Sequence, residues 1–283
     1  MKNTIKFAAL GVCALAASST AALAGSEMPQ GLTTGIALGA PLPEGVYDIS
    51  FGSYGSRGNT ANSNLAYAIP VWLIWSTPWQ IAGGRILLDT ATAVGDAWTP
   101  GSVFNGADSW LNTLVDAQIK WNFGNGWGAG FQAGAWLPST QVLPMALGRD
   151  YTSFQGVAAI SYLAHGWNLS ATGLYGTGGG GNANTSRYGA EWVNLDLTAT
   201  KKFGKFEIGA IGYGSWDVSV CTGCSKQSQF ALGGLIGYDF GSFVAQGKLA
   251  SDVAQTNYGG DEVRGWIQII KPLWNPEAEG PLK

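Results

Sequence analysis

The chain has 283 residues, of which 12% are charged, 43 are Gly and 13 are Trp, and its formal net charge at pH 7 is −3. Soluble domains carry roughly 25% charged residues, so this composition argues against an ordinary soluble fold, and the weak net charge lacks the electrostatic footprint of a nucleic-acid binder. Outside the N-terminus there is no run of about 18 apolar residues, which excludes a bundle of membrane-spanning helices.

Residues 1–24 read as a secretory signal peptide. Lys2 and Lys6 form the basic start, Phe7 to Ala17 the apolar core, and Ala22-Leu23-Ala24 the small-x-small cleavage site, leaving Gly25 as the mature N-terminus. Cys13 lies inside the apolar core behind the bulky Val12, a poor lipoprotein signal. Residues 25–44 are small, polar and punctuated by proline. Thr34-Gly35-Ile36-Ala37-Leu38 is open to two placements, a plug in a lumen or a lining of the periplasmic rim, and the rim is the preferred expectation.

From residue 45 the pattern changes to alternation. Expected strands cover 45–54, 64–75, 79–93, 110–122, 127–137, 151–163, 167–176, 191–202, 206–217, 229–239, 243–252 and 262–271. In the fourth, Leu111, Thr113, Val115, Ala117, Ile119 and Trp121 share one face and Asn112, Asp116, Gln118 and Lys120 the other, with Leu114 the exception. The eighth repeats the design, Val193, Leu195 and Leu197 against Asn194, Asp196 and Thr198. A period of two places successive side chains on opposite faces of a strand. Five short connections carry aromatics: Ser76-Thr77-Pro78-Trp79, Phe123 to Trp127, His165-Gly166-Trp167, Phe203-Gly204-Lys205-Phe206 and Phe240-Gly241-Ser242-Phe243. Longer, polar, glycine-rich stretches fall between them. Short turns alternating with long loops, an even strand number and aromatics near the turns predict an all-β, antiparallel, up-and-down transmembrane β-barrel over 45–274, followed by a polar tail, 275–283.

In such a barrel a charge facing lipid costs a few kcal/mol, so the polar face belongs inside. Asp116, Gln118, Lys120, Gln132, Gln155, Asn194, Asp196, Glu207, Gln246, Lys248, Arg264 and Gln268 are therefore the expected lumen lining, either bordering a narrow pore or pairing to fill it. Arg149 and Asp150 are candidates for a constriction or loop anchor, or equally for a structural ion pair. The tryptophans divide into Trp79, Trp121, Trp127, Trp167 and Trp274 near the turns and Trp98, Trp110, Trp136, Trp192 and Trp216 near the loops, as two interfacial girdles would.

Cys221-Thr222-Gly223-Cys224 falls in an expected external loop. Its readings are a small structural disulfide, favoured by an oxidising compartment, or a redox or metal pair. His165, the sole histidine, falls in a turn, away from any nucleophile that a hydrolytic barrel would need. No catalytic residue, metal or cofactor site is expected.

Pro43-Glu44-Gly45-Val46-Tyr47, Leu147-Gly148-Arg149-Asp150-Tyr151-Thr152-Ser153-Phe154 and Gly260-Asp261-Glu262-Val263-Arg264-Gly265-Trp266 open the first, sixth and last strands. In order and spacing they resemble the phenol meta-degradation-pathway family of outer-membrane transporters, over residues 31 to 274. The resemblance implies a barrel in the outer membrane that passes small, often aromatic or hydrophobic, compounds, and carries over no catalytic residues. The implied partners are the lipid bilayer, a small-molecule solute and, during insertion, the barrel-assembly machinery. Two other readings stay open: a non-conducting structural or adhesion barrel, and a barrel-embedded lipid enzyme.

Overall fold

The computed structural model describes residues 26–58, 64–98, 107–138, 151–179, 189–220 and 225–276. Within them lie twelve strands: β1 (Gly45–Arg57), β2 (Asn64–Ile81), β3 (Gly84–Trp98), β4 (Ala107–Gly124), β5 (Trp127–Leu137), β6 (Ser153–Ala164), β7 (Trp167–Gly176), β8 (Glu191–Phe203), β9 (Phe206–Ser219), β10 (Ser228–Asp239), β11 (Val244–Thr256) and β12 (Glu262–Trp274). Each pairs antiparallel with its sequence neighbours, and β12 pairs back onto β1, so the sheet is a closed barrel. Closure leaves no unpaired edge, which is what a sheet needs where water is absent.

The strands follow from the alternation. On β4, Asn112, Leu114, Asp116, Gln118 and Lys120 are buried, while Val115 and Ala117 are exposed. Leu114, the exception to the polar face, points inward with the rest. The outer surface carries Val71, Leu88, Phe131, Ile160, Leu249 and Ile267. The β1 strand inverts the usual assignment. Tyr47, Ile49 and Phe51 face in, and Asp48 and Ser50 face out, with the Ser50 hydroxyl donating to Asp48 Oδ2 at 3.0 Å. Asp48 stands in register with Lys271 of β12, close to the turn end of the barrel.

Four two-residue turns and the four residues 240–243 join the strands at one end. Asn125 and Gly126 have φ of 52° and 86°, and His165 and Gly166 have 54° and 79°. Positive φ at both positions is the pattern of a type I′ hairpin, whose twist matches that of the strands it joins. The β2–β3 turn departs from expectation. It lies at Ala82-Gly83, both with positive φ, rather than at Ser76–Trp79. Proline cannot take the positive φ that such a turn demands. Pro78 instead sits in a bulge, where the register slips between Ser76 and Gln80. Thr77 holds that bulge: its hydroxyl donates to the Ile86 carbonyl at 2.8 Å and accepts from the Trp79 N–H at 3.1 Å. The β12 strand also runs three residues past its expected end, through an irregularity opposite Val46 and Tyr47.

The girdles divide unevenly. Trp79, Trp127, Trp167, Phe203, Phe206, Phe240 and Trp274 are exposed at the turn end. At the loop end Trp110 is exposed, but Trp136 and Trp192 are buried and point inward. Both lie on the inner phase of their strands, so position along the strand alone misassigned them.

Candidate functional site: the lumen and the segment threaded through it

All twelve sequence-nominated polar residues are buried on the inner face of the wall. What they face is mostly protein. Residues 26–42 run down the lumen from the loop end to the turn end. Asn194 donates to Ser26 Oγ and to the Met28 carbonyl, both at 2.9 Å, near the loop end of β8. At the other end Ser76 donates to the Leu42 carbonyl at 3.0 Å, and Tyr47 to the Pro43 carbonyl at 3.1 Å. The preference for a rim placement is therefore overturned. The reason is the backbone. A segment of successive tight turns leaves amides and carbonyls unpaired, and buried backbone groups need partners. The inner wall supplies them.

The central grip is made by two opposite charges. Asp196 accepts from the Gly31 N–H at 2.9 Å, the Thr33 N–H at 2.9 Å and the Thr33 hydroxyl at 2.7 Å. Lys248 donates to the carbonyls of Gly31, Leu32 and Thr34 at 3.2, 3.4 and 2.9 Å, and to Gln268 Oε1 at 3.1 Å. The carboxylate thus takes the donors of one turn and the ammonium takes its acceptors, as charge-assisted bonds favour. Below this, the Gly35 N–H donates to Thr198 Oγ1 at 2.8 Å, and Asn168 and Gln246 donate to the Gly35 carbonyl at 3.2 and 3.4 Å. Gln246 also donates to Glu207 at 3.0 Å and accepts from Gln268 at 2.9 Å. Nearer the turn end, the Gly39 N–H donates to Ser161 Oγ at 3.0 Å. Met28, Leu32 and Leu38 add apolar contacts, joining a core with Phe51, Trp72, Leu114 and Trp136.

At the loop end Glu262 lies between two guanidinium groups. Arg57 Nε is 3.1 Å from it, and Arg264 donates to both of its oxygens at 2.6 and 2.8 Å. All three are buried. Arg57 stacks 4.1 Å over the ring of Tyr258, a fully buried residue of the β11–β12 connection. Gln30 of the threaded segment donates to the Tyr258 hydroxyl at 2.5 Å and to Gln229 at 2.8 Å. The segment is thus tied to an end loop as well as to the wall.

The β3–β5 wall is different. Asp89 and Asp116 are cross-strand partners, and so are Gln118 and Gln132. Trp72 donates to Asp89 at 2.9 Å, Gln118 donates to its other oxygen, and Gln132 donates to Asp116 at 2.9 Å. Trp136 donates to Gln155 at 2.9 Å. These bonds stay within the wall, and none of these polar side chains hydrogen-bonds residues 26–42.

Several of these groups escaped the sequence reading. Asp89 sits between the inward Leu87 and Ala91, so alternation did not flag it, although a lone carboxylate inside a membrane strand is itself a signal. Tyr258 and Gln30 lie outside the strands, where no periodicity speaks. Arg149, Asp150, Cys221 and Cys224 lie outside the described residues, as does the signal segment. His165 occupies the first position of its hairpin turn.

Solved barrels similar to this one include two channels. An outer-membrane channel from Pseudomonas putida F1 superposes with a TM-score of 0.65 at 12% identity, over 82% of this chain and 97% of that one. The CymD monoaromatic hydrocarbon channel gives 0.51 at 9% identity, over 82% and 89%. At these identities the likeness is one of fold. No curated protein sequence matches the chain. Residues 48–268 match the family described as "Putative MetA-pathway of phenol degradation", and with that span covering most of its barrel the chain belongs to this family.

Proposed function

We propose that the protein is an outer-membrane channel for passive uptake of small hydrophobic or aromatic compounds. The observation that carries this reading is the way the lumen is filled. Residues 26–42 are held by side-chain hydrogen bonds and apolar contacts, outside the strand ladder. They can shift without breaking a strand pair, so the barrel can open while its wall stays intact. Membership of the family and the similarity to CymD, a monoaromatic hydrocarbon channel, support the solute class.

In this reading residues 1–24 are cleaved on export, and the barrel-assembly machinery inserts the mature chain with its turn end toward the periplasm. Cys221 and Cys224 form a disulfide in an external loop, and Arg149 with Asp150 anchors another. Solute passes between the threaded segment and the inner wall.

The same filled lumen favours a second reading, a non-conducting structural barrel. Solute flux into liposomes holding the folded protein decides between them. Toluene and phenol entering faster than sugars of similar size, above protein-free leakage, is the expected result. No flux of any solute through a folded, heat-modifiable barrel would reject the channel.

A further inference from the structure

We propose that the outer face of the β8–β9 hairpin, at the turn end of the barrel, is a binding site for an anionic phospholipid, with Lys201 and Lys205 taking its phosphate. The inference rests on the membrane placement of that end and is independent of what the lumen passes.

It starts from a charge on the lipid face. Lys201 lies on the outward phase of β8, two residues from the strand's end, in register with Trp167 of β7 and Ile208 of β9. A lysine facing lipid is costly at the bilayer midplane and nearly free at the interface, so this one marks the headgroup level. Its ammonium stands 4.9 Å from the centre of the Trp167 ring and 5.8 Å from that of Phe203, both exposed, so the stem lies along the wall while the charge reaches toward the turn. The turn itself, Gly204-Lys205, carries a second exposed lysine. Among the described residues neither lysine forms an ion pair. The nearest acids are engaged elsewhere. Glu207 points inward and accepts from Thr200 and Gln246, and Lys202, on the inward phase, stands in register with it. Asp239 accepts from the Gly241 N–H at 2.8 Å.

The wall beside these lysines has room for the rest of a lipid. One outward position further from the turn, Ala199, Ala210 and Gly234 are register partners on β8, β9 and β10, and the exposed Leu169 and Leu249 bound the row. Three small residues between two leucines leave a shallow depression for the start of an acyl chain, directly inboard of the Lys201 ammonium. The other outward lysine of the turn end among the described residues is Lys271, and it differs: Asp48 stands in register with it across β1 and β12. The uncompensated positive charge is therefore local to the β8–β9 hairpin. Lysines at a membrane surface attract anionic lipids. A phosphate without a headgroup cation of its own, as in phosphatidylglycerol, complements this pair, whereas a choline headgroup brings a competing positive charge. The leaflet on the periplasmic side of an outer membrane is built of phospholipid, so such a ligand is at hand where the turn end sits.

The test is native mass spectrometry of the full mature barrel released from detergent micelles doped with phosphatidylglycerol, with phosphatidylcholine of the same acyl chains, or with lipid A. Phosphatidylglycerol should be retained as a one-to-one adduct on the order of tenfold more tightly than phosphatidylcholine, because each lysine beside an anionic lipid contributes about fivefold. Lys201→Gln should cut that preference about fivefold, and the double variant with Lys205→Gln should abolish it. Lys271→Gln makes the same change of charge at the compensated site and should leave the preference intact. Heat-modifiable migration shows that each variant is folded. Equal retention of the two phospholipids by the native barrel would overturn the inference. So would an equal loss in Lys201→Gln and Lys271→Gln, the mark of diffuse charge rather than a site, or tighter retention of lipid A, which belongs to the opposite leaflet. Retention is read without flux, so either result leaves the channel reading to its own experiment.

Discussion

The two sides of the lumen solve the same problem differently. Both line a water-poor interior with carboxylates, amides and a lysine. The β7–β11 side spends its polar groups on residues 26–42, with Asp196 and Lys248 gripping one turn from opposite sides. The β3–β5 side bonds within itself and leaves several oxygens unpaired. One side therefore grips the segment through hydrogen bonds, and the other meets it through apolar packing. A polar residue inside a barrel is not one kind of thing. Its role depends on whether a second layer of chain hydrogen-bonds to it.

Removing the second layer breaks the comparison most directly. Deletion of residues 26–42 strips the clamp of its partners and leaves the ladder whole. The barrel should still migrate as a heat-modifiable species. Conductance in planar bilayers should rise on the order of tenfold, because twelve strands lie between the filled eight-stranded and the open sixteen-stranded cases. Unchanged conductance would mean that side chains alone close the lumen.

A pair of equivalent substitutions gives the next largest effect. Asp196→Ala takes three hydrogen bonds from the segment, two of them from backbone amides. Bonds to a charged group are worth about 1.5–3 kcal/mol each, so the seating should weaken by about 3 kcal/mol even after partial rearrangement. Asp116→Ala removes a carboxylate that does not hydrogen-bond the segment. Labelling of Ile36→Cys by a membrane-impermeant maleimide, in a background with Cys221 and Cys224 replaced by serine, should speed up in the first variant and not in the second. Equal acceleration in both would dissolve the distinction between the two sides.

How far the sequence already contained this contrast can be judged residue by residue. The alternation in β4 and β8 placed Asp116, Gln118, Asn194 and Asp196 on the inner face, because a period of two survives whatever fills the lumen. It could not say which of them would meet a second layer. That layer binds through its backbone, with Gly31, Thr33 and Gly35 offering amides that any residue but proline carries. Its side-chain contacts, from Gln30, Thr33, Met28, Leu32 and Leu38, follow no strand or helix period that would mark the segment. The turn at Ala82-Gly83 was hidden for a related reason. Pro78 four residues earlier resembles a turn residue by type, but the required backbone conformation excludes it. Trp136 and Trp192 were assigned by their distance from the loops, when their phase along the strand decided their direction.

Gly134→Ala probes the β3–β5 side at a tight point. A Cβ there would stand 2.3 Å from the Cβ of Asp116 and 2.8 Å from the Val115 carbonyl oxygen, so the β4 backbone must shift. Overpacking of this kind costs about 1–3 kcal/mol. The control is Gly173→Ala on the outer face of β7, where the nearest atom would be 3.9 Å away. The temperature at which the heat-modified band appears should fall for the first and hold for the second. A fall of equal size in both would point to strand propensity rather than to the Asp116 contact.

The smallest effects fall on two serines of one strand, β6, which borders both regions. Ser161 Oγ accepts from the Gly39 N–H at 3.0 Å and from Ser170 Oγ at 2.9 Å. Ser161→Ala leaves the segment's amide buried without a partner and should cost about 1–2 kcal/mol, since the unmade bond matters more than the bond itself. Ser153 is as deeply buried, and its hydroxyl has no partner among the described residues. Replacing it with alanine removes an unpaired polar atom, so Ser153→Ala should be neutral or stabilising by up to about 1 kcal/mol. Two chemically identical substitutions eight residues apart, on the same face of one strand, should thus differ in sign. Unfolding in urea from lipid vesicles reads both. A loss at Ser153 matching that at Ser161 would show that its hydroxyl has a partner in the working protein.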